Sequence, residues 1–178
     1  MAKTFLDKLS QANYVEHGYA QVEPNHLSAQ RTGQIYAQLP AASDIAVLEN
    51  GQFVKYNYAE GVCDFAGAGE WMLVLNEVKL YDSFWRESYK DFAMKKADYN
   101  KGVMTPRVMK TMPGDIFTTN CIAGSETDAG VEIAVKDVLG INAKGYLEKD
   151  AAGDIQFQVV KVYTMPDGQP GVKVMRIK

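Results

Sequence analysis

Beyond residue 35 the chain is built mainly of short stretches in which apolar and polar side chains alternate, the pattern of half-buried strands. Ile35, Ala37 and Leu39 alternate with Tyr36 and Gln38 until Pro40 ends the run. Ile45 to Tyr58 reads as two strands around Asn50-Gly51. Both residues of that pair tolerate positive φ, so a hairpin is predicted there. Cys63 to Gly69 is a loop of small residues, and Glu70 to Tyr81 a strand that is buried at first and half exposed after Asn76. Residues 103–123 return to strand character, with a turn at Pro113-Gly-Asp115 and a run of β-formers over Ile116–Ile122. After a loop at 124–130, strands are predicted over Lys144–Lys149, Ile155–Tyr163 and Val172–Lys178. Ile155, Phe157 and Val159 share one face of the second; Val172, Val174 and Arg176 lie opposite Lys173, Met175 and Ile177 in the third.

Two regions break the period of two. Trp85, Tyr89 and Phe92 follow helical spacing, and Asp82 or Ser83 can cap the turn before them. A helix is expected over about 83–96, with Lys95 and Lys96 at its negative end. Residues 1–34 hold many polar positions and few consecutive apolar ones, with Phe5, Leu6, Leu9 and Ala12 forming one helical face behind Thr4. They read as a short helix followed by an extended arm, which lies on its own domain or reaches a neighbour. The expected fold is mostly β: a compact barrel or sandwich carrying one helix, with residues 1–34 as an N-terminal arm and 35–178 as the β-rich domain.

Composition narrows the class. At 178 residues with 47% hydrophobic and 23% charged side chains, the chain suits one folded domain, or one domain plus an arm. The longest apolar run, Trp71–Leu75, is far too short to span a membrane, and Asp7 and Lys8 interrupt any secretory core at the start. Synthesis and folding in a cytoplasm are expected. The net charge of −3 is uneven: residues 1–78 carry nine acidic and four basic side chains, residues 79–110 eight basic and four acidic. That middle excess suits an acidic partner or solvated lysines and is too small for a nucleic-acid binder, so no direct nucleic-acid contact is expected.

The residues that usually carry chemistry are sparse and scattered. His17 and His26 are the only histidines, set in the polar arm without carboxylates at ligand spacing. There is no Gly-x-Ser-x-Gly elbow. Cys63 and Cys121 form no C-x-x-C pair and read as buried free thiols, with one disulfide between them as the alternative. Gly67-Ala-Gly69 precedes a strand, so it cannot present a helix N-terminus to a phosphate. Asp115, Asp128, Asp137, Asp150, Asp154 and Asp167 sit mostly at turns, where Asp bonds its own backbone. Trp85, Tyr89 and Phe92 read as the core-facing side of the helix. No catalytic, metal or cofactor residue is assigned, and a non-enzymatic protein is expected.

Three segments, Ser28-Ala-Gln-Arg-Thr-Gly-Gln-Ile-Tyr-Ala-Gln-Leu39, Leu48-Glu-Asn-Gly-Gln-Phe-Val-Lys-Tyr56 and Pro113-Gly-Asp-Ile-Phe-Thr-Thr119, taken in order, resemble tailed-bacteriophage head proteins of the decoration or cement type. The resemblance covers about residues 28–120; the helix near 83–96 has no place in the simplest small decoration folds. It implies a virion structural protein on the capsid surface. Such a protein binds the major capsid protein and itself, often as a trimer, and needs no cofactor. Partner contacts are then expected from the arm, at Phe5, Leu6, Leu9, Tyr14 and Tyr19. Two alternatives remain: a head-fibre, neck or tail component, and a small ligand-binding β-barrel or hydrolase.

Overall fold

Residues 18, 20–76, 93–125, 130–166 and 168–178 are described by the structure, a computed structural model. Its organising feature is the alternation along Phe53–Asn57 (β4). Phe53 points to one side of the strand and Val54 and Tyr56 to the other, and each side is buried in a different apolar cluster. A strand buried on both faces must sit inside a sheet that is covered on both sides. β4 pairs antiparallel with Val62–Asp64 (β5) and with Met72–Val74 (β6). β6 pairs in turn with Val108–Met109 (β8), and β8 with Ile35–Tyr36 (β2). The resulting five-stranded sheet runs β2-β8-β6-β4-β5.

The second sheet has six strands. Its members are Val22–His26 (β1), Ile116–Thr119 (β9), Val138–Ile141 (β10), Leu147–Lys149 (β11), Phe157–Thr164 (β12) and Pro170–Arg176 (β13), in the order β1-β9-β13-β12-β10-β11. All of its pairs are antiparallel. Val172 and Val174 of β13 and Phe157 and Val159 of β12 face inward, as the alternation predicts, and all four are buried. They meet Phe53, Leu73 and Met109 from the five-stranded sheet in one shared core. At its centre three rings touch: Phe53 lies 6.4 Å from Phe117 and 5.6 Å from Phe157, and the last two are 5.5 Å apart at 78°. The mostly-β sandwich expected from the alternation is therefore present. The outer face of the five-stranded sheet is covered by a second cluster of Ile45, Leu48, Val54, Met72, Met94 and Met104.

The structure corrects two local expectations. At Asn50-Gly51 a turn does form: Gly51 has φ +89° and Gln52 N–H donates to Glu49 O at 3.3 Å. It is not a hairpin, because its two flanks enter different sheets. Val47–Leu48 (β3) pairs with Met94–Lys95 (β7), while β4 pairs with β5 and β6. The turn's own backbone is taken by β6, through Gly51 N–H to Val74 O at 2.9 Å and Val74 N–H to Gln52 O at 2.8 Å. The second correction concerns the helix over 83–96. Residues 83–92, with Trp85, Tyr89 and Phe92, lie outside the described residues. Its last residues are not α-helical: Met94–Lys95 are the strand β7, and Lys96–Asp98 make one turn of 3-10 helix. Extended backbone lets Met94 enter the outer cluster and Lys96 N–H bond Ala46 O at 2.8 Å.

The region read as an arm is partly a strand and a helix. Val22–His26 adds β1 to the edge of the six-stranded sheet, with Val22 opposite Thr119 and Glu23 opposite Thr118. Pro24 in that strand suits an edge, where its missing N–H costs no ladder bond. Ala29–Thr32 (α1) is a single helical turn closed by Gly33 at φ +70°. Ala20, Leu27 and Ala29 are buried, so this part of the N-terminal region lies on its own domain.

Two glycines separate backbone freedom from space. Gly145 has φ +79°, and a Cβ there would meet Phe53 O at 2.0 Å; at Gly33, φ +70°, nothing lies within 4 Å. Gly33→Ala is expected to cost about 1 to 2 kcal/mol, the left-handed penalty alone. Gly145→Ala should cost clearly more, because it also displaces the Phe53 N–H to Gly145 O bond of 2.7 Å. Phe157→Ala, which empties the ring cluster, is expected to cost about 3 to 5 kcal/mol. Urea denaturation of the three variants checks the ranking.

Candidate functional site

Several of the most buried polar side chains fasten irregular backbone to the sheets. Glu49 follows β3 directly and is 1% exposed. Its carboxylate accepts the Gly18 N–H at 2.6 Å and the Ala20 N–H at 3.2 Å. Its own N–H donates to Gln52 Oε1 at 3.1 Å, and Gln52 Nε2 donates to Lys144 O at 2.8 Å. Asn120, next to β9, accepts the Gln21 N–H at 2.8 Å and donates to Gln169 Oε1 at 3.0 Å. Asp115 accepts from the Ser28 N–H at 2.8 Å, from the Ser28 hydroxyl, and from the Met112 N–H at 2.8 Å. A buried carboxylate is tolerated because charge-assisted bonds to amides replace its hydration. The chain entering at Gly18 is thus held at Gly18, Ala20, Gln21 and Ser28 before and after it forms β1.

A second feature lies where the outer cluster opens to solvent. Tyr56 and Tyr58, two apart on β4 and just beyond it, point to the same side, and Tyr36 of β2 joins them. Tyr36 and Tyr56 meet edge-on at 6.2 Å and 73°, Tyr56 and Tyr58 at 5.7 Å and 88°. With Gly69, Glu70, Met72 and Lys110 they line a cleft of about 130 Å³. Tyr58 is 75% exposed. Glu70 Oε2 lies 3.6 Å from Lys110 Nζ, and Glu70 Oε1 lies 3.5 Å from Arg176 Nη1. Burial raises the Tyr56 hydroxyl above its ordinary 10.0, partly offset by the Gln38 N–H that donates to it at 3.3 Å.

Of the residues weighed for chemistry in the sequence, those that the structure describes have the following places. His26 ends β1 and is exposed; His17 lies outside the described residues. Gly67 and Gly69 pack against the backbone of Tyr56, and Asp64 Oδ1 accepts the Ala66 and Gly67 N–H groups at 2.9 and 2.6 Å. Asp137 accepts the Ala134 N–H and the Lys149 ammonium, both at 2.8 Å. Asp150 occupies a turn at φ +60°, and Asp154 is exposed; Asp128 and Asp167 lie outside the described residues. Cys63 and Cys121 are buried free thiols. Among the described residues no three His, Cys, Asp or Glu side chains converge as metal ligands would. Phe5, Leu6, Leu9, Tyr14 and Tyr19, the expected partner contacts, all lie outside the described residues. Glu49 and the tyrosine cleft were missed from sequence. The only local signal for the cleft was the spacing of Tyr56 and Tyr58, and nothing local tied Tyr36, Glu70 or Lys110 to them.

Comparison with protein-family models, with curated proteins and with solved structures finds no match to this chain.

Two predictions follow from these geometries. Glu49→Gln replaces one acceptor oxygen by a donor, so one of the two N–H groups loses its partner, at a cost of about 1 to 3 kcal/mol. Hydrogen exchange should speed up at Gly18 and Ala20 and stay slow at Phe117 and Val174. Burial pushes the Cys63 thiol from 9.0 up to about 12. The unfolded chain therefore releases this proton first as pH rises, so stability is full below about pH 9 and falls from there towards 12. Tyr56 and Tyr163, also raised by burial, act in the same direction above 10.0. Urea midpoints measured across pH 8 to 10 should decline, and Cys63→Ala should flatten that decline.

Proposed function

We propose that this protein is a virion structural component, a decoration or cement protein that binds and stabilises the major-capsid lattice of a tailed-phage head. The observation that carries the reading is the fastened entry of the chain. Glu49 holds Gly18 and Ala20 against a body whose two sheets share one core. Residues 1–17, with the apolar Phe5, Leu6 and Leu9, precede a point that is fixed on that body. A segment rooted in this way suits a contact to a neighbouring subunit. Repeated over a symmetric lattice, modest contacts add to a large stabilisation through effective concentration. The sequence resemblance over residues 28–120 supports the same reading, and the basic excess of residues 79–110 suits an acidic lattice surface. A self-associating, often trimeric, protein fits symmetric lattice sites.

The test is sedimentation of the purified chain with heads assembled from the cognate major capsid protein and lacking this protein. The full chain is expected to co-sediment at saturation in hundreds of copies and to raise the disassembly temperature of the heads. The chain lacking residues 1–17 is expected to lose that binding while keeping its urea midpoint. A dozen copies or fewer per virion would instead place the protein at the neck, the tail or a head-fibre base. Absence from both heads and virions would overturn the proposal.

A further inference from the structure

The tyrosine cleft combines an exposed ring with polar groups whose bonding capacity is unspent. Tyr58 presents its ring to solvent at 75% exposure and is held edge-on by Tyr56 at 88°. An aromatic face exposed this far, yet propped in one orientation, is a flat apolar platform. Around it stand Tyr36, Glu70 and Lys110. Among the described residues neither the Tyr36 nor the Tyr58 hydroxyl has a hydrogen-bond partner. The Glu70 carboxylate faces two cations, but at 3.6 and 3.5 Å, beyond good hydrogen-bond length. Its acceptor sites and the Lys110 donors are therefore still available, and both side chains are over a third exposed.

Charge balance selects the kind of ligand. Glu70 already has two positive neighbours, so the cleft does not call for an ammonium despite its aromatic walls. The same carboxylate disfavours an anion. A neutral group with one apolar face and several hydroxyls meets each feature: C–H groups against the Tyr58 ring, and hydroxyls inserted between the loosely paired charges, which leaves neither charge unpaired. Tyr36 and Tyr58 each stand near-perpendicular to Tyr56, at 73° and 88°, and of the three rings only Tyr58 is exposed enough to serve as a platform, whereas a polyproline helix docks in a groove lined by several aromatic rings.

We propose that the cleft is a carbohydrate-binding site, in which a pyranose ring stacks on Tyr58 and its hydroxyls bond Glu70, Lys110 and Tyr36. The site is independent of the capsid reading, since it uses none of the residues around the fastened N-terminal segment. A single ring on one platform binds at about millimolar strength, and display in many copies multiplies it.

The test is a titration of the whole ¹⁵N-labelled chain with soluble oligosaccharides of glucose, galactose, N-acetylglucosamine and rhamnose, with decaproline alongside, followed by amide shifts. At least one oligosaccharide is expected to perturb amides around Tyr36, Tyr58, Gly69, Glu70 and Lys110. Tyr58→Ala should weaken that binding by about tenfold or more, and Tyr58→Trp should retain it. Both variants change an exposed side chain, and unchanged urea midpoints confirm that they fold. No perturbation by any of the oligosaccharides, equal binding by Tyr58→Ala, or cleft shifts with decaproline alone would each overturn the proposal. Sedimentation with heads is expected to be the same for Tyr58→Ala and the parent chain, so failure of this site and failure of the capsid reading give different results.

Discussion

The contact among Phe53, Phe117 and Phe157 is the constraint on which the architecture depends. Phe53 comes from the five-stranded sheet and the other two from the six-stranded sheet, so the cluster is what makes two sheets one body. Each ring is fully buried and contributes about 1.5 to 3 kcal/mol by leaving water, with a further fraction from edge-on geometry. The cluster also sets tolerances at a distance. Gly145 approaches the Phe53 carbonyl so closely that no side chain fits between them, which ties the β10–β11 connection to the start of β4.

Around this centre, polar side chains take over where regular pairing ends. Glu49, Gln52, Asn120 and Asp115 are buried, and each accepts backbone amides from segments that leave the sheets. Such groups resemble catalytic residues in burial and differ from them in having their bonds spent inside the fold. The tyrosine cleft has the opposite character: its groups are partly exposed and their bonding capacity faces outward. That contrast separates side chains whose bonds close inside the fold from side chains that still face solvent.

Errors in reading the chain locally share one cause. Asn50-Gly51 has the backbone freedom of a hairpin turn, and it does turn, but Leu48 and Val54 are drawn into the outer cluster on either side of it while β6 takes its amides. Met94 falls within the span expected to be helical and is nevertheless extended, because pairing with Leu48 buries it. Val22–His26 carries a proline and three exposed residues, so its local pattern hides a strand that only the free edge of β9 creates.

What the sequence alone determined is the set of faces: Ile155, Phe157 and Val159, or Val172 and Val174, must share a side because strand geometry has a period of two. Turns at Gly51 and Gly114 were likewise local matters of backbone freedom, whereas Gly145, expected inside a strand over Lys144–Lys149, turns at φ +79° and the strand starts only at Leu147. Tertiary structure decided which strands are neighbours, that Glu49 grips the entering chain, and that Tyr36, Tyr58, Glu70 and Lys110 surround one cleft. Periodicity reports the direction of a side chain relative to its own backbone. The partner it meets is chosen by the joint fit of surfaces far apart in the chain, and no local pattern encodes that fit.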